Sequence, residues 1–377
     1  MTNPTAYLKA NDLWDLDKLK QHAQHNSVYV IESVRIPDVV MLHYMDAAQY
    51  DNLWNTFNRM CRGLILDMKN KKVLAYPFDK FFNLGQMPET SYDNLAALGG
   101  FETSEKLDGS MVIGFINPND GQLTFTTKGS FDSEHGAYAN ALPFTPEQMS
   151  NLRLWAENGT LMFELIAKQF QIVVDYRKKG YAEGLYLIGF RHNVHHKLAS
   201  FGGVATIAYD LNLPTFKTYT FNGLDQLVAL AKDLPVLEEG FVLRFPGDLM
   251  VKVKGSAYLA AHRFISHLSD RNILEAVADG TASNLATLAP EEYRQDVLDK
   301  IDHFQKRVAE LTDTCYTYYN EVPKEGSRKD FALWVNANVP SYFKGFMFQL
   351  MDGKVVDRKQ MFRVLEEIDH IGGKTKI

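Results

Sequence analysis

The chain has 377 residues, 46% hydrophobic and 23% charged, which excludes a disordered or collagen-like polymer and fits two or three folded domains. Forty Lys+Arg against 46 Asp+Glu leave a net charge of −6, which excludes a general nucleic-acid coat but leaves room for a local basic groove. Two cysteines, Cys61 and Cys315, are too few for a disulfide framework or a four-ligand zinc site and point to a reducing compartment.

The opening residues, Met1-Thr2-Asn3-Pro4, lack the basic stretch and apolar core of a signal peptide. No apolar run approaches the ~20 residues of a membrane span. The expected setting is soluble, intracellular and cytoplasmic, with no membrane partner.

In chain order, β-type runs bounded by turn residues are predicted at 28–34, 63–67, 111–116, 123–127, 161–166, 185–190, 241–245 and 249–253. Thr145 followed by Pro146 is a good helix start and opens a helix to about Glu157. After Lys254 the strand signal stops. Segments 257–267, 271–278, 290–319 and 355–370 carry apolar residues at three-to-four spacing with charges between them. The class is therefore α+β, a mixed domain over 1–256 followed by an all-helical domain over 257–377. Lys+Arg and Asp+Glu number 16 and 18 over 255–377, so the second part is no basic arm.

The chemistry-bearing string is Glu105-Lys106-Leu107-Asp108-Gly109-Ser110, which by itself reads as a turn with a solvated lysine. Glu164 interrupts the apolar run 161–166, and Glu238-Glu239-Gly240 opens 241–245. Lys252 and Lys254 alternate with Val251 and Val253, so both ammonium groups share one strand face. Singly, each is the polar side of a half-exposed strand. Jointly, two strand-end glutamates and a paired lysine face after a Lys-x-Asp-Gly turn are hard to explain as surface.

The ordered set resembles the covalent nucleotidyltransferase superfamily of ATP-dependent RNA and DNA ligases and capping enzymes. Lys106 to Gly109 matches its nucleophile motif, Phe163-Glu164 its third, Glu239-Gly240 its fourth and Val251 to Lys254 its fifth. The 58 residues from Lys106 to Glu164 and the 88 from there to Lys252 fit one catalytic domain. Cys61-Arg62-Gly63-Leu64, Phe78 to Leu84 and Thr127-Lys128-Gly129-Ser130 are similar to segments of the first, tRNA-repair family of phage RNA ligases. Tyr258 and His262 also fit, and the resemblance runs from about Tyr44 to Gly280.

That resemblance implies an N-terminal nucleotidyltransferase domain with antiparallel-rich sheets, ATP as substrate and Mg2+ or Mn2+ as metal. It implies a lysine–AMP adduct on Lys106, transfer of AMP to an RNA 5′-phosphate, and sealing by a 3′-hydroxyl. Arg62, Lys80, Lys252 and Lys254 would neutralise the triphosphate, and Lys252, Lys254 and the metal would lower the Lys106 pKa. Glu239 would be the metal-side carboxylate, and Glu164 would hold the ribose hydroxyls. Asp108 would shape the nucleophile loop, and Tyr44 would lie against the nucleotide. Lys128 and Tyr258 carry over as active-site residues. Ser283 falls where the family can place a second metal-associated acid, so either Asp279 or Asn284 substitutes or the second metal is held differently. Single-stranded RNA ends are the implied partners, with the tRNA anticodon loop as one candidate, and a monomer and a phage gene are the implied form and source. The helical domain would govern RNA specificity.

Other signals are weaker. His192, His195 and His196 suit no common zinc spacing. Segment 168–197 holds six Lys+Arg against two acids, which leaves a solvated face and a phosphate path lined by Arg177 to Lys179, Tyr176 and Tyr181 equally open. Tyr316, Tyr318 and Tyr319 read as helix packing. A DNA ligase or capping enzyme would follow the fifth motif with a small β-barrel, whereas this chain turns helical. A non-catalytic RNA-binding relative would have lost site residues, and none of the main set is missing.

Overall fold

The computed structural model describes residues 3–267, 269–282, 285, 291–323 and 325–369. The chain divides into two compact units, Met1–Leu259 and Ala260–Ile377.

The first unit holds three sheets. Strands β1 (Val28–Glu32), β2 (Val39–Tyr44), β3 (Arg62–Asp67) and β4 (Lys72–Ala75) form an antiparallel meander. Both faces of its central strands, β2 and β3, are buried, and the period of two sorts their residues. Val40, Leu42, Leu64 and Leu66 pack under Leu8, Leu19 and Ala23 of the helices Pro4–Ala10 and Leu16–His25. Val39, Met41 and Ile65 point the other way, onto Ile113, Phe115 and Met162. Asn3 and Asp15 cap those two helices, which the apolar pattern alone had not marked.

The remaining strands are β5 (Phe82–Asn83), β6 (Glu102–Glu105), β7 (Ser110–Ile116), β8 (Leu123–Thr127), β9 (Gly159–Ile166), β10 (Gly184–His192), β11 (Thr218–Tyr219), β12 (Gly240–Arg244) and β13 (Met250–Lys254). The second sheet runs β10-β9-β7-β8, antiparallel throughout. The third runs β11-β6-β12-β13-β5, antiparallel except for the parallel pair of β13 with β5. The helix Pro146–Asn158 starts at Thr145 with a reciprocal Gln148 capping box, as its sequence predicts. Helices Tyr92–Leu98 and Leu224–Lys232 bury Leu95, Leu224 and Leu227 against Phe241, Leu243 and Val251 of the third sheet.

The topology puts the chemistry at one place. β6 belongs to the third sheet and β7 to the second, so the turn between them, residues 106–109, bridges two sheets. Because β6, β12 and β13 are antiparallel neighbours, the end of β6, the start of β12 and the end of β13 lie side by side. Gly240 makes this possible. Its φ is +137°, it pairs with Lys254, and a side chain there would strike the Val253 carbonyl.

The second unit is helical among its described residues. Asp270–Ala278, Glu291–Glu321, Arg328–Asn338, Ser341–Met351 and Arg358–Ile368 bury Ile273, Val297, Phe304, Phe343, Met347 and Leu365 in one core. Tyr318 and Tyr319 join that core, as packing predicts, while Tyr316 is partly exposed. The helix Ser256–His267 begins in the first unit and continues into the second. Among the described residues no helix is long and apolar enough to cross a membrane.

Candidate active site

Lys106 follows β6, and its backbone N–H donates to the Gly240 carbonyl at 2.8 Å. Its ammonium meets Glu239 Oε2 at 2.7 Å, and Lys254 meets Glu239 Oε1 at 2.9 Å. One carboxylate, 3% exposed, thus spans two ammonium groups from the neighbouring strand ends. This row follows directly from the strand order. Glu164 enters from β9, opposite Met111 of β7, and its Oε1 accepts the Gly109 N–H at 2.9 Å. A side chain at Gly109 would strike the Leu165 carbonyl, so only glycine lets the turn lie this close to β9.

The charges are tuned by one another. Burial alone would lower the Lys106 pKa, but the Glu239 and Glu164 carboxylates outweigh it and raise it above the ordinary lysine value. For the lysines this corrects the expectation that Lys252 and Lys254 would lower it: Glu239 stands against Lys106 and screens it from Lys254. Glu239 is itself held low, because the two ammonium groups outweigh its burial. Burial pushes Glu164 up to about 7, with Glu239 and Asp108 adding to the rise and Lys106 opposing it.

A second group of cations lies beyond that row. Lys80 is 4.9 Å from the Trp54 ring centroid and 5.1 Å from that of Tyr44, and Lys128 is 5.9 Å from the latter. Arg62 contacts Met111 Sδ at 2.9 Å and lies 5.8 Å from the centroid of Phe81, over which Lys252 sits at 4.5 Å. Burial and then the Arg62 guanidinium lower Lys80 and Lys128 to about 8. Burial, Arg62, Lys106, Lys80 and Lys254 push Lys252 well down. Asp46 and Glu164 offset part of this charge at Lys128 without cancelling it, and crowded cations that lower one another's pKa suit an anionic ligand.

Asp108 faces the protein. Its Oδ2 accepts the N–H groups of Val173 and Val174 at 2.9 Å each, and its Oδ1 accepts the Tyr258 hydroxyl at 2.9 Å. Its backbone N–H donates to the Tyr176 hydroxyl. On the other flank of the lysine, Glu105 accepts from Lys179 Nζ at 3.0 Å and the Tyr181 hydroxyl at 2.9 Å. Segment 173–181 therefore clamps the chain on both sides of Lys106, at Glu105 and at Asp108. Its tyrosines and Lys179 are turned inward, and Arg177 pairs with its own neighbour Asp175.

All eleven residues carried into the site from the sequence lie in the first unit, in or beside this site, and Tyr258 meets it through Asp108 and through Lys254, which lies 5.1 Å from its ring centroid. Those the sequence did not mark as part of the site are Tyr176, Tyr181, Glu105, Trp54 and His43. His43 opposes Arg62 in the β2–β3 register, lies tilted against the Tyr44 ring at 4.6 Å, and has a buried Nδ1 with no hydrogen-bond partner among the described residues. Burial and the cations Lys128, Arg62 and Lys80 lower its pKa to about 3, so it stays neutral. A histidine inside the apolar run 39–44 was the available signal. Ser283 and Asn284 lie outside the described residues, and Asp279 pairs with Lys359 at 2.7 Å.

A lysine between the buried Glu239 and the half-buried Glu164 at the meeting of two sheets, with a bank of cations beyond, defines a ligase of the nucleotidyltransferase type. The sequence profile of the RNA ligase family matches residues 60–258. A Thermovibrio ammonificans protein provisionally named an RNA ligase is 28% identical over 275 residues, covering 68% of this chain and 70% of that one. The RNA ligase of Rhodothermus phage RM378 is 22% identical over 376 residues, covering 84% of this chain and 82% of that one. Among solved structures, a Naegleria gruberi RNA ligase with PPi aligns at a TM-score of 0.37 and 16% identity, over 49% of this chain and 57% of that one. The chain belongs to the RNA ligase family.

Proposed function

We propose that the protein joins RNA ends by the three-step, ATP-dependent route, with Lys106 as nucleophile. The observation that carries this reading is the Lys106–Glu239–Lys254 row, with Glu164 held on the adjoining Gly109 turn. The Lys106 Nζ attacks the α-phosphorus of ATP, and pyrophosphate leaves. AMP then passes to an RNA 5′-phosphate, and a 3′-hydroxyl displaces it to seal the strand.

Each residue has work that its surroundings support. Lys106 attacks only after losing the proton that Glu239 and Glu164 now hold on it. Arg62, Lys80, Lys128, Lys252 and Lys254 supply the positive charge that phosphoryl transfer requires. Tyr44, between Lys80 and Lys128, faces the nucleotide, and Glu164 is placed for the ribose hydroxyls. Asp108 and Tyr258 hold the turn in shape from behind.

The donor set also fits a metal. Glu239 and Glu164 are hard oxygen donors beside a phosphate site, and Mg2+ or Mn2+ needs only one or two carboxylates when phosphates complete its shell. Glu239 would hold such an ion, which would supply positive charge to the triphosphate, and a Glu239 so engaged would hold the Lys106 proton less tightly. A monomer acting on single-stranded ends, in RNA repair such as that of tRNA anticodon loops, is the biological reading, with 257–377 as the RNA-specificity domain.

The test is incubation with α-labelled ATP and Mg2+. A covalent label is expected on Lys106 and absent in a folded Lys106→Ala variant. Full labelling of that variant would refute the assignment.

A further inference from the structure

We propose that the cavity walled by Arg59, Lys80 and Phe81 is the subsite for the 5′-terminal nucleoside of the phosphorylated RNA end. The proposal rests on the lysine–AMP reading above. The cavity has a volume of about 340 Å³, within the ~300–1,000 Å³ of ligand sites. Its floor is apolar, from Met60, Leu198 and Met250, and its mouth carries the exposed Thr56 and the partly buried Leu249.

Its position follows from shared walls. Phe81 lines the cavity, and the same ring carries Lys252 at 4.5 Å and Arg62 at 5.8 Å. Lys80 lines it too and belongs to the cation bank beside the nucleophile. The cavity is therefore an annex of the phosphate site.

Its charges point to an anionic ligand. Glu89 is taken by Arg59 at 2.7 Å, Asp79 by the Tyr76 hydroxyl and Arg191, and Asp248 by Arg244. Lys80 has no ion-pair partner among the described residues, and its ammonium donates to the Gln49 side chain at 2.9 Å. Arg59 Nε is buried with no hydrogen-bond partner among the described residues. A cation and an unmet guanidinium N–H over an apolar floor suit a phosphate joined to a flat, weakly polar body.

The chemistry names that ligand. Pyrophosphate leaves the α-phosphorus on the side opposite Nζ, and the next nucleophile enters from that same side. An RNA 5′-phosphate oxygen bonds to the AMP phosphorus there as the P–Nζ bond breaks, and Lys106 departs as an amine that takes up a proton. The incoming phosphate thus occupies the place pyrophosphate vacated, among Arg62, Lys80, Lys128 and Lys252. The nucleoside attached to it extends past Lys80 into the cavity.

The test uses the full chain. Adenylylated protein is mixed, at subsaturating RNA, with 5′-phosphorylated oligoribonucleotides whose first residue is ordinary or abasic, and AMP transfer is followed in a single turnover. Base stacking in a pocket predicts about tenfold slower transfer to the abasic end. Thr56→Trp and Leu249→Trp, which plug the mouth, are expected to lower the ratio of transfer to adenylylation and to erase the abasic difference. Equal transfer to both ends by the wild type overturns the proposal, and that comparison needs no variant to fold. Plugged variants that transfer and discriminate like the wild type overturn it as well. If the wild type forms no Lys106–AMP at all, the ligase reading fails instead, a separate result.

Discussion

Lys106 is protonated and restrained in the free protein because two carboxylates outweigh its burial. Removing one should reverse the balance. In Glu239→Gln, burial then dominates and the Lys106 pKa falls. More of the amine is neutral at pH 8, and its reaction with an amine-directed reagent should quicken by about tenfold or more. Peptide mass spectrometry of the ligand-free protein would read this, and an unchanged rate would contradict the pairing. Glu164 titrates the other way. Its pKa is raised from 4.5 to about 7 by burial, so its contribution to stability is greatest below pH 4.5 and is lost as pH rises to about 7. Glu164→Gln should therefore gain stability relative to the wild type across that window, by up to about 3 kcal/mol. Denaturant unfolding at pH 4.5 and 7.5 tests the sign.

At the scale of elements, the order β6-β12-β13 brings Lys106, Glu239 and Lys254 side by side, although 133 residues separate the first two. Sequence spacing orders these residues along the chain but contains no sheet order. The clamp 173–181 was still less visible. Its basic residues suggested a phosphate path, yet Tyr176, Lys179 and Tyr181 turn inward onto Asp108 and Glu105. Tyr176→Phe removes the acceptor of the buried Asp108 N–H, which should cost about 1–3 kcal/mol. It should also slow Lys106–AMP formation on the order of tenfold, with a smaller change in the KM for ATP, because the turn loses its alignment. An equal fall in stability with an unaltered adenylylation rate would make Tyr176 purely structural.

For the whole molecule, a net charge of −6 sits beside a concentrated bank formed by Arg62, Lys80, Lys106, Lys128, Lys252 and Lys254. RNA affinity should therefore depend on few phosphates. The slope of log K against log salt for a single-stranded RNA should be about −2 to −3, corresponding to three or four contacts. A slope near −10 in a fluorescence titration would mean a far wider basic surface. Composition, periodicity and motif order by themselves determined the α+β class, the change to helices after Lys254 and the ordered charged set Lys106, Glu164, Glu239, Lys252 and Lys254, because local periodicity and rare charged residues in apolar strands are properties of the chain; Tyr44, Arg62, Lys80, Lys128 and Tyr258 were implied by the family resemblance. Tertiary structure alone decided that Glu239 screens Lys106 from Lys254, that Asp108 faces inward, and that Tyr176 and His43 belong to the site. Each of these depends on which strands are neighbours and on how far water is excluded, and both are set by the packing of distant segments.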